Sequence, residues 1–313
     1  MAAHPNVIHL DDVEAETRES GELRSTRRRL GPAGGTLKVG LSHWELPPGA
    51  RSTPVHTHAD EEELCFVLSG SGLSWQDGRT YEIAAGDCIV HRIQAEGHTL
   101  IAGDAGLTVL MFGEGSDTSL TWLPRAKAMW AATHWIPTDG PHPFKAEAAA
   151  GPLELPEAPE EERAATIVAL DDCPPEEEQP DGYQGVERKL SAPAGAVRSG
   201  LRHVILRPDQ VSCPPHWHTV EEEIFYVLGG SGQVLLGDER FELRAGSIVM
   251  RPPGTQVAHA LRAGEEGLTY LVYGTRVPAD ICFYPRSNKL NIMGVLFEVA
   301  PVDYWVGEEQ APE

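Results

Sequence analysis

Residues 39–72, VGLSHWELPPGARSTPVHTHADEEELCFVLSGSG, return as residues 199–232, SGLRHVILRPDQVSCPPHWHTVEEEIFYVLGGSG, at a constant offset of 160 that carries His56 onto His216. The correspondence runs outward in both directions: Leu30 meets Leu190 and Gly86 meets Gly246. After one inserted residue the offset becomes 161. HTLIAGDAGLTVLMFG from His98 then lies over HALRAGEEGLTYLVYG from His259, and Pro124-Arg125 over Pro285-Arg286. Self-similarity on this scale marks two copies of one folding unit. They occupy 1–140 and 166–313, and the Pro, Ala and Glu content of 141–165 reads as a solvated linker. Within each unit, short β-rich runs (GLSHWEL, ELCFVLSG, LTVLMFG; GLRHVIL, EIFYVLGG, LTYLVYG) are broken by PPG, SGSG and QDG turns, a pattern that predicts a pair of all-β sandwiches or barrels.

A chain of 313 residues is long enough to bury a core in each unit, and 41% hydrophobic with 23% charged residues is ordinary globular composition. The balance of 25 basic against 47 acidic side chains, a net charge of −22, repels phosphate backbones and anionic headgroups, so nucleic acid and membrane surfaces are poor partners. Cys65, Cys88, Cys173, Cys213 and Cys282 are odd in number, far apart and never form CxxC. That disfavours both a disulfide framework and a Cys-type zinc site, and points to a reducing compartment. The N-terminus has neither a basic n-region nor an apolar h-region, and no apolar run approaches membrane-spanning length. The expectation is a soluble cytoplasmic protein acting on a small molecule.

The chemistry is concentrated in HTHADEEELCFVLSG and HWHTVEEEIFYVLGG. On a strand, side chains two residues apart share a face roughly 6 to 7 Å apart, so His56 and His58, like His216 and His218, are able to address one centre. Glu63 lies five residues beyond His58, an odd step, so the chain must reverse between them. Glu63, Cys65 and Val67 then share a face, as do Glu223, Phe225 and Val227. His98 and His259, each after a turn and a hydrophobic strand, complete three imidazoles and one carboxylate per unit. Such a donor set suits Fe, Mn, Co, Ni, Cu or Zn better than Ca or Mg, with up to two ions per chain. Two cis positions on an octahedral ion stay open for substrate or dioxygen.

These residues resemble the motifs of the cupin superfamily, and the doubled pattern resembles a bicupin. The first cupin motif, G(X)5HXH(X)3–4E(X)6G, is matched by Gly49, His56, His58, Glu63 and Gly70 with one extra residue before the first His. In the second unit Pro208-Asp209 replace the Gly, while His216, His218, Glu223 and Gly230 keep the spacing. The second motif is looser. Gly246, Pro252, Gly254 and His259 match with two added residues and no Asn, and in the first unit Gly86 and His98 match with Arg92 at the Pro position. The resemblance implies two tandem jelly-roll β-barrels, each holding a divalent transition metal (Fe, Mn, Ni, Cu or Zn) on His56, His58, Glu63 and His98, or on His216, His218, Glu223 and His259.

Bicupins with this ligand set include quercetin-type dioxygenases and oxalate decarboxylases, so the resemblance implies redox chemistry on a small, oxygen-rich substrate. Oxalate decarboxylases carry an Arg three residues before the first His, where this chain has Thr53 and Cys213, which argues against oxalate. The leading expectation is a metal-dependent, dioxygenase-like oxidoreductase in which Glu63 or Glu223 ligates the metal and accepts a proton. The alternatives are a non-catalytic bicupin that binds a small ligand and a metal-dependent isomerase or lyase. Within the glutamate runs Glu62 and Glu222 satisfy the shorter motif spacing, but Glu63 and Glu223 keep six residues before the glycine. Arg51 and His91 are candidates to meet an anionic substrate, Cys65 and Cys213 are expected near the pockets as packing groups, and His43 and His203 are expected to be structural. The apolar terminal stretch ICFYPRSNKLNIMGVLFEV is expected to pack across domains or subunits, with a homodimer as one outcome.

Overall fold

The computed structural model describes residues 4–114, 119–131, 134–136, 140–178 and 180–307, the side chains of Trp135 and Glu178 excepted. Each repeat builds the same barrel from one large and one small antiparallel sheet. In the first barrel the long strand Glu63–Gln76 lies between Asp87–His91 and His98–Glu114, and the sheet continues through Val39–Leu46, Leu23–Arg29 and Ala15–Ser20. The small sheet joins His134–Ile136, Ala128–Ala131, Leu120–Leu123 and the two-residue strand Thr57–His58. In the second barrel Glu223–Leu236, Ser247–Arg251, His259–Thr275, Ser199–Leu206, Gly185–Lys189 and Glu176–Glu178 repeat the large sheet. Trp217–His218, Ile281–Tyr284, Lys289–Ile292 and Val295–Glu298 form the small one. No helix among the described residues is long and apolar enough to cross a membrane.

The run ELCFV does not alternate in polarity because both of its faces are buried. Cys65 and Val67 point into the first barrel among Trp44, Leu46, Ile83, Ile89 and Val109. Leu64 and Phe66 point outward into a second core shared with Ile224, Tyr226, Leu271 and Tyr273 of the other barrel. At its centre the rings of Phe112 and Tyr273 stack with centroids 5.1 Å apart. The motif glycines mark the bulge in the long strand, where the register shifts. Gly70 and Gly230 have φ of 81° and 75°, and a Cβ at either would collide with the carbonyl oxygen of Gly106 or Gly267.

Besides apolar contact and the reach of Arg198 to Glu114 at 2.9 Å and to the Asp60 carbonyl at 2.7 Å, two features join the barrels. The first is an exchange of strands: Val7–His9 pairs with Ser247–Arg251 of the second barrel, and Ile167–Ala169 pairs with Asp87–His91 of the first. The boundaries at 140 and 166 thus separate the repeats but not the barrels. The sequence signal for the exchange is that VIHLDD at 7–12 matches IVALDD at 167–172 at the same offset of 160. The second feature is a reciprocal clamp. The carboxylate of Glu62 accepts from the Val197 and Arg198 amides at 2.9 and 3.3 Å and from Ser199 Oγ at 2.6 Å. Glu222 accepts from the amides of Leu37, Lys38 and Val39 at 2.8, 2.9 and 2.9 Å. Both residues are 1% exposed.

Within 141–165, the stretch 154–163 is irregular and mostly exposed, as expected of a solvated linker, but the part before it departs from that expectation. It carries the helix Pro143–Ala149, whose fully buried Glu147 lies 2.9 Å from both the Arg51 and Arg125 guanidinium groups. A buried carboxylate is tolerable only when paired in this way, so two arginines of the first barrel dock the helix. The apolar terminal stretch forms the outer part of the second small sheet, and its last strand, Val295–Glu298, is exposed along its length.

Removing either clamp carboxylate takes charge-assisted hydrogen bonds from three donors, of which the Val39 amide and the Ser199 hydroxyl lie in buried residues, at about 1–3 kcal/mol for each buried donor left unsatisfied. Glu62→Ala and Glu222→Ala are each expected to destabilise the protein by roughly 3 kcal/mol or more, while Glu265→Ala at an exposed position of the strand His259–Thr275 should stay within about 0.5 kcal/mol. Urea titration followed by circular dichroism reads the difference. Equal midpoints for all three variants would remove the clamp from the account of stability.

Candidate metal centres

The reversal required between His58 and Glu63 is present, and it brings His58 of the short strand against the first residue of the long one. His56, on an isolated bridge to His98, completes the group. One donor atom from each of His56, His58, Glu63 and His98 lies within 4.8 Å of the others. His58 Nε2 is 3.5 Å from Glu63 Oε2, and His98 Nε2 is 3.6 Å from Glu63 Oε1. In the second barrel Glu223 Oε2 lies 2.8, 3.5 and 3.8 Å from Nε2 of His259, His218 and His216.

Five of the six rings are held by their far nitrogens, whereas His259 Nδ1 is buried without a partner and its Nε2 meets Glu223. His56 Nδ1 donates to the Pro54 carbonyl at 2.9 Å, His98 Nδ1 to that of Glu96 at 3.2 Å, and His58 Nδ1 meets Thr121 Oγ1 at 3.2 Å. His216 Nδ1 donates to the Pro214 carbonyl at 3.0 Å and His218 Nδ1 to Asp280 Oδ2 at 2.6 Å. A proton fixed on Nδ1 leaves Nε2 as a lone-pair donor facing the centre, the usual arrangement behind a metal-binding imidazole. His58 Nε2 and His98 Nε2 are buried with no hydrogen-bond partner, which is what a site shaped for a cation leaves behind. The donor set therefore fits a divalent metal in each barrel.

The electrostatics agree with that fit. Burial, reinforced by His98 and His58, lowers the His56 pKa to about 3, and burial with His91 lowers that of His98 to about 4. Burial lowers His259 to about 4 against the pull of Glu223. Burial opposes ionisation of Glu63 as well, yet the neighbouring His58 and His98 hold its carboxyl well below the usual range. Against burial, hydrogen bonds to Glu63, Cys213 and Asp280 raise the pKa of His58, His216 and His218, so the imidazoles held neutral beside an ionised carboxylate, as a metal requires, are His56, His98 and His259.

The two centres differ in what surrounds them. A cavity of about 640 Å³ opens onto His216, His218 and Glu223. Its walls include Val204, Phe225, Tyr270 and Tyr284, with Glu187, Arg202 and Arg276 as charged groups. In the first barrel the residue equivalent to Val204 is Trp44, 4% exposed, with the Arg27 guanidinium 4.9 Å above its ring and bonded to Ser42 Oγ. In the second barrel Glu187 and Arg202 replace Arg27 and Ser42, and the space is open.

Other expectations resolve as follows. Cys65 Sγ lies 3.8 Å from Glu63 Oε1, and Cys213 Sγ lies 3.6 Å from His216 Nδ1, so each thiol touches a residue of its centre. Arg51 does not meet the first centre; its buried guanidinium is committed to Glu147 and Glu22. His91 stacks on His98 at 3.7 Å with rings 3° from parallel and bonds Glu96, so it supports a ring of the centre. His43 and His203 are buried on strands of the large sheets. Sequence reasoning missed Asp280 and Cys282. The signal was available, because His218 pairs with Cys282 in the small sheet as His58 pairs with Thr121, an equivalence the repeat offset of 161 carries.

The cupin domain model matches residues 42–112 and 202–273, once in each barrel and across each ligand cluster. Protein SchB of Streptomyces halstedii is 34% identical over 103 residues, which are 32% of this chain and 70% of that protein. The chain belongs to the cupin superfamily, as a bicupin. An uncharacterized protein of Methanocaldococcus jannaschii, MJ1618, is 32% identical over 76 residues, 24% of the bicupin and 51% of that protein. Among solved structures, the formate complex of Lactobacillus farciminis oxalate decarboxylase is similar with a TM-score of 0.59 and 17% identity, over 90% of the bicupin and 89% of that chain. Bacillus subtilis oxalate decarboxylase at pH 4.6 is similar with 0.57 and 15%, over 87% and 76%. At such identities the likeness is one of fold.

Asp280 holds His218 and also accepts from the amides of Val220 and Glu221 at 2.8 and 3.1 Å. Asp280→Ala is expected to weaken metal binding in the second barrel about 10- to 100-fold, the usual effect of losing an outer partner of a ligating histidine. Calorimetric titration of the apoprotein with Zn(II) measures it, and His56→Ala in the same background isolates the second centre.

Proposed function

We propose that this bicupin is a metal-dependent oxidoreductase of the oxygenase type, working on a small organic substrate in the second barrel. The observation that carries the proposal is the placement of His216, His218 and Glu223 on the wall of a cavity of about 640 Å³, with His259 against Glu223. That volume lies within the about 300–1,000 Å³ usual for small-molecule sites. Its aromatic and aliphatic walls suit a cyclic or aromatic body, and Arg202 and Arg276 suit acidic or phenolic oxygens on it.

The metal, when bound, supplies Lewis acidity and one-electron chemistry at the positions that three imidazoles and one carboxylate leave open. The chain's own residues do the rest. Asp280 keeps the His218 ring in one orientation. Glu223 faces the imidazoles through Oε2, and its other oxygen accepts a proton from the substrate as the substrate approaches. Phe225, Tyr270 and Val272 exclude water from the reacting face. The cluster of His56, His58, Glu63 and His98 would hold a second ion in a barrel where Trp44 stands at the position of Val204, with Glu63 in the matching role.

A lyase reading has support of its own, because the similar solved structures are oxalate decarboxylases. Against a decarboxylase of so small a diacid stand the size of the cavity and the Thr53 and Cys213 side chains three residues before His56 and His216.

Elemental analysis of untagged protein is expected to find transition metal at one ion per cluster, with His56→Ala and His216→Ala each losing about half of it. Metal below roughly a tenth of an equivalent after resupply would overturn the enzyme reading in favour of a ligand-binding bicupin. With metal present, an oxygen electrode should record uptake with small phenolic and cyclic substrates in the His56→Ala protein and none in the His216→Ala protein. Carbon dioxide release without oxygen uptake would establish the lyase instead. Val204→Trp, which reproduces the filling by Trp44, is expected to retain the metal and lose turnover.

A further inference from the structure

We infer that the ion of the second barrel takes a fifth protein ligand, the thiolate of Cys282, and that this makes the two centres of one chain chemically different. The inference rests on the metal reading above. Cys282 is the antiparallel partner of His218 in the small sheet and lines the cavity together with His216, His218 and Glu223. Its Sγ and a ring nitrogen each of His216 and His218 lie within 4.8 Å of one another. Around one ion, a sulfur at about 2.3 Å and a nitrogen at about 2.1 Å sit roughly 3 to 4.4 Å apart, so these three donors are spaced to share an ion, and His216 belongs as well to the cluster with Glu223 and His259.

The comparison between the barrels says why the thiol is free for this. In the first barrel the equivalent residue is Thr121, whose hydroxyl meets His58 Nδ1 at 3.2 Å and so works behind the imidazole. In the second barrel that duty passes to Asp280, whose carboxylate takes His218 Nδ1 at 2.6 Å. The residue opposite His218 is left with no orienting task, and it is a sulfur donor. Cys65 does not provide the same thing in the first barrel: its thiol touches Glu63 Oε1 at 3.8 Å, and it is not a member of the four-residue group there.

Binding releases the Cys282 proton to solvent as the metal–sulfur bond forms, with no change of oxidation state. A thiolate beside imidazoles favours Zn(II), Co(II), Fe(II) or Cu over the harder Mn(II), whereas three imidazoles and a carboxylate discriminate less. The fifth ligand also closes one of the two open positions, so the substrate cavity meets a single exchangeable site.

Co(II) titration of the full-length apoprotein tests this by absorption spectroscopy, with no dependence on turnover. The wild-type protein should show visible ligand-field bands from both centres and, in addition, an intense near-ultraviolet sulfur-to-cobalt band that saturates with one of the two ions. Cys282→Ser should abolish the sulfur band while keeping the visible bands. It should also lower the preference of the second centre for Zn(II) over Mn(II) about tenfold or more in competition. Cys213→Ser, Cys65→Ser and His56→Ala should retain the sulfur band, and His216→Ala should lose it. Visible bands with no sulfur band in the wild type, or a sulfur band that survives Cys282→Ser in protein with native circular dichroism, would overturn the inference while leaving the metal reading intact. No cobalt bands of either kind would overturn both.

Discussion

A pair of buried carboxylates holds the two halves of this molecule in a fixed relation. Glu62 and Glu222 each stand one residue before a glutamate of a metal cluster, and each reaches across the interface to the first strand residues of the opposite barrel. The geometry is reciprocal because the sequence is repeated. Residues 37–39 and 197–199 are equivalent, so one local solution serves twice. A buried carboxylate is costly unless its lone pairs are met, and here they are met by backbone amides and the Ser199 hydroxyl of the opposite barrel. The position of Glu63 is thereby tied to the second barrel, and that of Glu223 to the first.

The exchanged strands act in the same sense. The edge of Asp87–His91 is covered by Ile167–Ala169, and that of Ser247–Arg251 by Val7–His9, so neither barrel leaves this edge open. Between them Leu64, Phe66, Ile224 and Tyr226 turn what would be the outer face of each long strand into core. The strands that carry Glu63 and Glu223 are packed on both faces, which gives the clusters a rigid floor.

Within that common frame the two interiors have diverged by exchanges at equivalent positions. Trp44 with Arg27 fills the first barrel, while Val204 with Glu187 and Arg202 leaves a cavity in the second. Thr121 supports His58, whereas Asp280 supports His218 and leaves Cys282 facing the cavity. A centre beside a filled interior and a centre beside a cavity follow from a handful of side chains on an unchanged backbone plan.

The repeat and the all-β class were legible from residue type and spacing alone, as was the gathering of His56, His58, Glu63 and His98 into one group. Imidazoles two apart on a strand must share a face, and a period-2 backbone with one forced reversal leaves few other places for Glu63 and Glu223. The choice between Glu62 and Glu63 was also within reach of the spacing, but the destination of Glu62 was not, because its partners are backbone amides more than a hundred residues away. The same limit applies to Glu147, which composition placed in a solvated linker and which two distant arginines bury. Local periodicity decides which face a side chain takes. Which of the two barrels a strand joins, which carboxylate is buried, and which centre lies beside a cavity are set by contacts between segments far apart in the chain, and only the folded arrangement determines them.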